Sequence, residues 1–222
     1  MTHPAEALLD RWLADAALLA PAAGRDLWLA EGSLLLRGWS EPQRRYHTTE
    51  HLTEVLAAVD ELQAAGAVDA DAALVARAVA WYHDLAYDPR AAPGSNEHRS
   101  ATLARDHLHR LGVEDHTVDA VEAGVLMTLD HEAGGRGPAT DAVHDADLWI
   151  LSAPPERYAA YRAQVREEYA HVPDDAFCAG RLAVMGPLAD RGRLYRTAHA
   201  HERWGARARA NLQAELAELR RT

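Results

Sequence analysis

The chain of 222 residues contains no lysine; all 23 of its basic residues are arginine. A Schiff-base mechanism and the phosphate-binding lysine of a P-loop are therefore excluded, and any bound anion must be held by arginine, histidine or a metal. Cysteine is almost absent as well. The lone Cys178 cannot form an intramolecular disulfide, and lying far in sequence from the histidines and aspartates discussed below it has the character of a structural thiol, which suits a reducing cytoplasm. Positive charge is in deficit: the formal net charge of −11 argues against wide contact with a nucleic-acid polymer and for a small substrate. Long apolar runs are missing. Met1 to Asp15 carries Glu6, Asp10, Arg11 and Asp15 among its leucines, which fits neither a signal peptide nor a membrane span, so no membrane partner is expected.

What is present favours helix. Phe occurs once, while Ala, Leu, Glu and Arg fill most periodic segments, which predicts an all-α fold of about eight to ten helices. No Gly, Pro or Ser run is long enough to join two domains, so 1–222 reads as one domain, with a core over about 44–190 and an amphipathic helix over about 200–221. A packing helix follows Pro4, and a second runs from Asp26 to Trp39 before Glu41-Pro42 turns the chain. Leu52, Val55, Leu56 and Val59 carry a third to the Ala65-Gly66 stop. Asp69 or Asp71 can cap the next, whose Leu74, Val75, Ala78, Val79 and Trp81 are apolar nearly all round and predict a central, buried helix. Ser95 can cap a helix ending at Gly112, with His98, His107 and His109 facing solvent. Further helices start near Asp115, beyond Pro155 and beyond Pro173. The last one, alternating Glu and Arg around Trp204, Leu212, Leu216 and Leu219, can cover the core or a partner subunit, which leaves a homodimer open.

The chemistry gathers at helix ends. Trp81-Tyr82-His83-Asp84 delivers a histidine and an aspartate from the most apolar helix, and burying the pair is costly unless it is paired or metal-bound. Adjacent side chains on a helix point about 100° apart, so the two share a metal only where the helix lets both lean into one cleft. Arg44-Arg45-Tyr46-His47-Thr48-Thr49-Glu50-His51 places two histidines at i and i+4, on one face if helical, beside two arginines suited to an anion. His131 precedes a Gly-rich loop from which a side chain can reach a cleft. Asp145 and Asp147 flank Ala146 beside an apolar run, and either can cap, pair or ligate. Imidazole and carboxylate donors together suit a divalent Mn, Fe, Co, Ni, Zn or Mg ion rather than a thiolate-type structural zinc.

With His47, His83-Asp84 and Asp147 spread over helix ends, the sequence resembles the HD superfamily, and more closely a bacterial family described as predicted metal-dependent HD phosphohydrolases. The resemblance runs from Arg44 to about Glu215 through Arg45-Tyr46-His47 with His51, Trp81-Tyr82-His83-Asp84 with Tyr87-Asp88-Pro89, Asn96-Glu97 with Ser100-Ala101, Thr128 with His131, and Asp145-Ala146-Asp147-Leu148. It continues in Tyr161, Arg166-Glu167-Glu168-Tyr169, Gly180-Arg181 and Ala208-Arg209-Ala210-Asn211-Leu212. The family usually has Asn-Leu where this chain has Thr48-Thr49. The resemblance implies a helical HD fold with one or two divalent ions, hydrolysing a phosphate ester or anhydride of a small, nucleotide-like molecule. By this resemblance His47, His83, Asp84 and Asp147 are the ligands, with Asp145 an alternative to Asp147. Asp84 then belongs to the catalytic centre, Arg45, Arg166 and Arg181 neutralise substrate charge, and Glu97 or His131 transfers the leaving-group proton. His51 lies on the substrate side, or with His131 completes a second metal site. The other readings are an HD-fold di-iron oxygenase or hydratase and a non-catalytic metal-binding ligand sensor.

Overall fold

The computed structural model describes residues 4–131 and 137–221. Among them are ten α-helices and no strand, as the composition predicts: α1 (Pro4–Leu19), α2 (Arg25–Trp39), α3 (Thr49–Ala64), α4 (Ala70–Tyr82), α5 (Ser95–Arg110), α6 (Asp115–Met127), α7 (Pro138–Asp147), α8 (Pro155–Glu168), α9 (Asp174–Asp190) and α10 (Ala198–Leu219). A 3-10 turn, Leu148–Ser152, follows α7 directly. No helix among the described residues is long and apolar enough to cross a membrane.

Helix α4 is the hub. Asp69 starts it by accepting a hydrogen bond from the Ala72 amide at 2.8 Å. Ala73, Ala76 and Ala78 to Tyr82 are buried, and α4 packs against α1, α3, α6 and α7. The approach of α6 depends on Gly124, where an added Cβ would stand 2.5 Å from Cγ2 of Val79. Trp12 of α1 meets Trp81 edge-on at 5.5 Å and donates its indole N–H to the Trp28 carbonyl, tying α1 to both α4 and α2. Apolar surface alone does not close this core, because Arg77 of α4 donates to Asp15 of α1 at 2.7 Å inside it. Helix α10 lies on the 3-10 turn and α9 of its own chain. There the Asn211 amide donates to the carbonyls of Leu151 and Ala153, satisfying two groups that a short 3-10 turn leaves open.

Two expectations are corrected here. Gly94, in the left-handed region at φ 79°, is the N-cap of α5, so Ser95 is its first helical residue rather than its cap. His107 does not face solvent: it is buried, and its Nδ1 lies 2.7 Å from Glu31 of α2. Glu31 also accepts from the Tyr82 hydroxyl at 3.0 Å and from Arg110 at 2.7 Å. Burial works to raise the Glu31 pKa, but the hydrogen bond and charge of His107, followed by Arg110 and Tyr82, outweigh it and hold the carboxyl below its ordinary value. A lowered folded-state pKa gives stability that is fully present above the unfolded value and is lost as pH falls through the folded one. Glu31→Gln is accordingly expected to destabilise the neutral protein by about 2–3 kcal/mol, as charge-assisted hydrogen bonds become neutral ones. The gap to wild type should close as the pH drops below about 4.5. Thermal unfolding of both proteins across that range checks it, and a gap that does not change with pH would remove the role given to Glu31.

Candidate metal centre

Three helix ends meet at one point. Helix α4 stops at Tyr82, so His83 is its C-cap, and Asp84 lies beyond the helix. That local unwinding lets adjacent residues turn the same way, which a continuing helix would forbid. Arg44, fully buried in its side chain, holds the turn by donating to the carbonyls of Asp84 and Leu85 at 2.9 Å each, and to that of His47 at 2.9 Å. Thr48 is the N-cap of α3, its hydroxyl accepting from the Glu50 amide. His51 therefore sits in the first turn of α3, and His47 lies before the helix instead of one turn away on a shared face. Asp147 is the last residue of α7.

His51 Nε2 lies 3.2 Å from His83 Nε2 and 3.2 Å from Asp147 Oδ1, and His83 Nε2 lies 3.4 Å from the same oxygen. Asp84 Oδ2 is 3.2 Å from His83 Nε2 and 3.7 Å from His51 Nε2. Metal–ligand bonds of about 2.0–2.2 Å place neighbouring donors roughly 3.0–3.5 Å apart, so this donor set fits a divalent ion in both chemistry and spacing. The supporting contacts fit as well. His83 Nδ1 donates to the Ala80 carbonyl at 2.9 Å, leaving Nε2 as the ring's free donor atom, and His51 Nδ1 is 3.0 Å from the Tyr46 hydroxyl. Trp39 packs its ring 5.5 Å from that of His83.

The electrostatics also call for a cation. Burial alone would raise the carboxyls of Asp84 and Asp147, yet both are held below the ordinary range, chiefly by the charge of His83. Burial would lower the His83 imidazole, and the charges of Asp84 and Asp147 instead drive it well above its ordinary value. Two anions so enclosed need a positive partner, whether imidazolium or metal.

His47 stands at the edge of the donor set, its Nε2 3.9 Å from Asp84 Oδ2, while its Nδ1 is 2.7 Å from Glu168 Oε2. Glu168 is anchored at the end of α8 by the amides of Arg45, Tyr46 and His47 and by the Tyr87 hydroxyl. Although burial opposes it, the His47 hydrogen bond lowers the Glu168 pKa to about 2, so the carboxylate is an acceptor and Nδ1 of His47 carries the proton. His131 adopts a left-handed backbone at φ 55°, a strained conformation for a residue with a side chain, and its Nε2 lies 3.4 Å from Asp147 Oδ2. Burial drives its pKa down to about 4, against the pull of Asp147, so this ring is neutral at pH 7 and a poor proton donor.

Several sequence-predicted residues serve elsewhere. Asp145 and Asp147, two apart on α7, point about 200° away from each other, so only one can face the centre. The other, Asp145, is fully buried and accepts from His144, the amides of Arg196 and Thr197, and the Thr197 hydroxyl, which fastens the start of α10. Arg45 is tied to Glu167 at the surface. Arg166 closes the end of α8, donating to the carbonyls of Tyr169 and Val172 and to Asp174. Neither guanidinium reaches the centre as an anion ligand would. Arg181 does line the cavity beside it, with its guanidinium 4.8 Å over the Tyr161 ring and its Nε 2.7 Å from Glu215. Glu97, His47, His51, His131, Asp84 and Asp147 line the same cavity, of about 830 Å³.

Arg44, expected to suit an anion, instead holds carbonyls, and the supporting roles of Arg44, Tyr46 and Glu168 escaped assignment from the sequence. Arg44 and Tyr46 stood beside a recognised histidine and Glu168 within a motif of the resembling family, but the partner of Glu168 lies more than a hundred positions away, where spacing carries no signal. No family model, curated protein or solved structure matches this chain.

Proposed function

We propose that this protein is a metal-dependent hydrolase of phosphate esters or anhydrides, of the HD type that its sequence resembles, working in a reducing cytoplasm. The observation that carries the reading is the convergence of His51, His83, Asp84 and Asp147 beside the His47–Glu168 pair, on the wall of a cavity large enough for a small molecule. Those four side chains would hold a divalent ion, which would supply a water of lowered pKa and positive charge for a phosphoryl oxygen. The chain's own groups do the rest. Although burial opposes it, the charge of Asp84 and the hydrogen bond from Nδ1 to Glu168 raise the His47 pKa, so the ring can hold a second proton on Nε2, turned to the centre, as a general acid needs to protonate a departing oxygen. His131, neutral at pH 7, suits a further donor of a lone pair better than it suits an acid. Arg44 and Trp39 keep the His83-Asp84 turn rigid, so the donors are positioned before substrate arrives.

The test is phosphate release. Metal-stripped protein reloaded in turn with Mn, Mg, Co, Ni, Zn or Fe is expected to release inorganic phosphate from members of a panel of nucleotides, cyclic nucleotides and phosphoesters, and to lose this on chelation. Binding of one or two ions per chain with no turnover of any panel member by any metal form would overturn the proposal. An oxygen-dependent optical change of the reduced, iron-loaded protein would then favour an oxygenase.

A further inference from the structure

The cavity wall is of two kinds. The ends of α3, α4 and α7, with Glu97 of α5 and the Asp130-His131 segment after α6, supply the imidazoles and carboxylates, whereas the 3-10 turn, α8 and α9 supply Ile150, Leu151, Val165, Phe177, Val184 and Leu188. Among the described residues lining it there is no Asn, Gln, Ser or Lys. Nucleobases are read through hydrogen bonds to their edges, and the amide side chains best suited to that are missing from this wall. Its charges also limit the substrate. Asp84, Glu97, Asp130 and Asp147 face Arg181 and Arg191, and Arg181 is already paired with Glu215. With Asp84 and Asp147 neutralised by the proposed ion, Glu97 and Asp130 balance the two arginines, so the wall holds no arginine surplus for the further charges of a triphosphate.

Helix α9 carries the second observation. Of its 17 residues only Met185 and Leu188 are buried, and Val184 is left 58% exposed although it is apolar. Gly180 lies in its interior, where glycine costs about 0.5–1 kcal/mol relative to alanine. An added Cβ there would meet nothing within 4 Å, so neither packing nor an unusual backbone accounts for the glycine, and it lines the cavity. The missing side chain leaves room for a guest.

Resting on the hydrolase reading above, we propose that the substrate is a soluble phosphate monoester of an apolar alcohol, its hydrocarbon body lying along α9 over Gly180. In the reaction the water releases one proton to solvent as its oxygen bonds to phosphorus, the bond from phosphorus to the alcohol oxygen breaks with its electron pair on that oxygen, and a proton from His47, regained from solvent after turnover, makes the free alcohol. Inorganic phosphate is the other product. The net charge of −11 opposes approach to an anionic lipid surface, which favours a dissolved ester.

The experiment uses the metal-loaded full chain with n-alkyl phosphates from ethyl to octyl, adenosine monophosphate, and phosphatidic acid in phosphatidylcholine vesicles, and reads turnover and calorimetric binding separately. The expected kcat/KM rises about four-fold per methylene, equivalent to ~0.8 kcal/mol, until the apolar wall is covered. Octyl phosphate should bind at least ten-fold more tightly than adenosine monophosphate. Gly180→Leu should lower the ratio of octyl to ethyl kcat/KM by ten-fold or more, with unfolding temperature equal to or above that of wild type. Adenosine monophosphate binding as tightly as octyl phosphate, a flat alkyl series, or faster cleavage of the vesicle lipid would overturn the inference while leaving the hydrolase reading intact. Failure of every ester to turn over, with octyl phosphate still bound ten-fold more tightly than the nucleotide, would sink the hydrolase reading and support the apolar site. Failure of both sinks both.

Discussion

Asp147→Asn and His83→Ala proteins are expected to bind divalent metal more than about 100-fold more weakly than wild type, because each removes a donor from the set, whereas losing a supporting contact costs about 10–100-fold. Both should release no phosphate at metal concentrations that saturate wild type. Asp145→Asn makes the informative contrast. Its carboxylate is consumed by His144, Arg196 and Thr197, so the substitution should leave metal affinity within about ten-fold of wild type and cost about 1–3 kcal/mol of folding stability instead. Calorimetric metal titration and thermal unfolding of the three proteins separate the two kinds of loss. Metal affinity that falls further in Asp145→Asn than in Asp147→Asn would move the ligand to Asp145 and require α7 to present its other side to the cavity.

His47→Asn should keep its metal and lose about 100–10,000-fold in kcat toward an ester whose leaving group is a strongly basic alkoxide. Toward an ester of an acidic phenol, whose oxygen departs without a proton, the loss should stay below about ten-fold. That dependence on the leaving group marks a proton donor; a merely structural histidine would depress both rates alike. Glu168→Gln should show the same pattern more weakly, since Gln can still accept from Nδ1 but no longer carries the charge that holds the ring's proton in place. Loss of bound metal in His47→Asn would instead make His47 a ligand and return His51 to the substrate side.

The helical class was legible in the sequence because helix propensity and apolar spacing are local, and the buried α4 announced itself in Leu74 to Trp81 for the same reason. The His83-Asp84 pair was legible too, since a histidine and a carboxylate ending the most apolar helix need a reason to be there. The roles within each candidate pair were not. His47 and His51 read as one helix face until Thr48 proved to be the N-cap, which separates them and leaves His51 with the donors and His47 with Glu168. Asp147 was preferred to Asp145 only through the resemblance, because helix periodicity fixes no more than that they point apart; which one meets His83 is set by the rotation of α7 against α3 and α4. Arg45 and Arg166 looked like anion ligands because a guanidinium's charge is visible in sequence, while the acceptors that consume it are not.

The sequence by itself therefore determined the fold class, the absence of lysine chemistry and the kinds of donor available. Tertiary structure alone decided which donors share a centre, which arginines are spent on helix ends, and that α9 turns a thinly packed, glycine-notched side onto the cavity. The division follows from range: propensity and donor type belong to single residues and their near neighbours, whereas the phase of one helix against another and the saturation of a buried carboxylate depend on groups brought together only by packing.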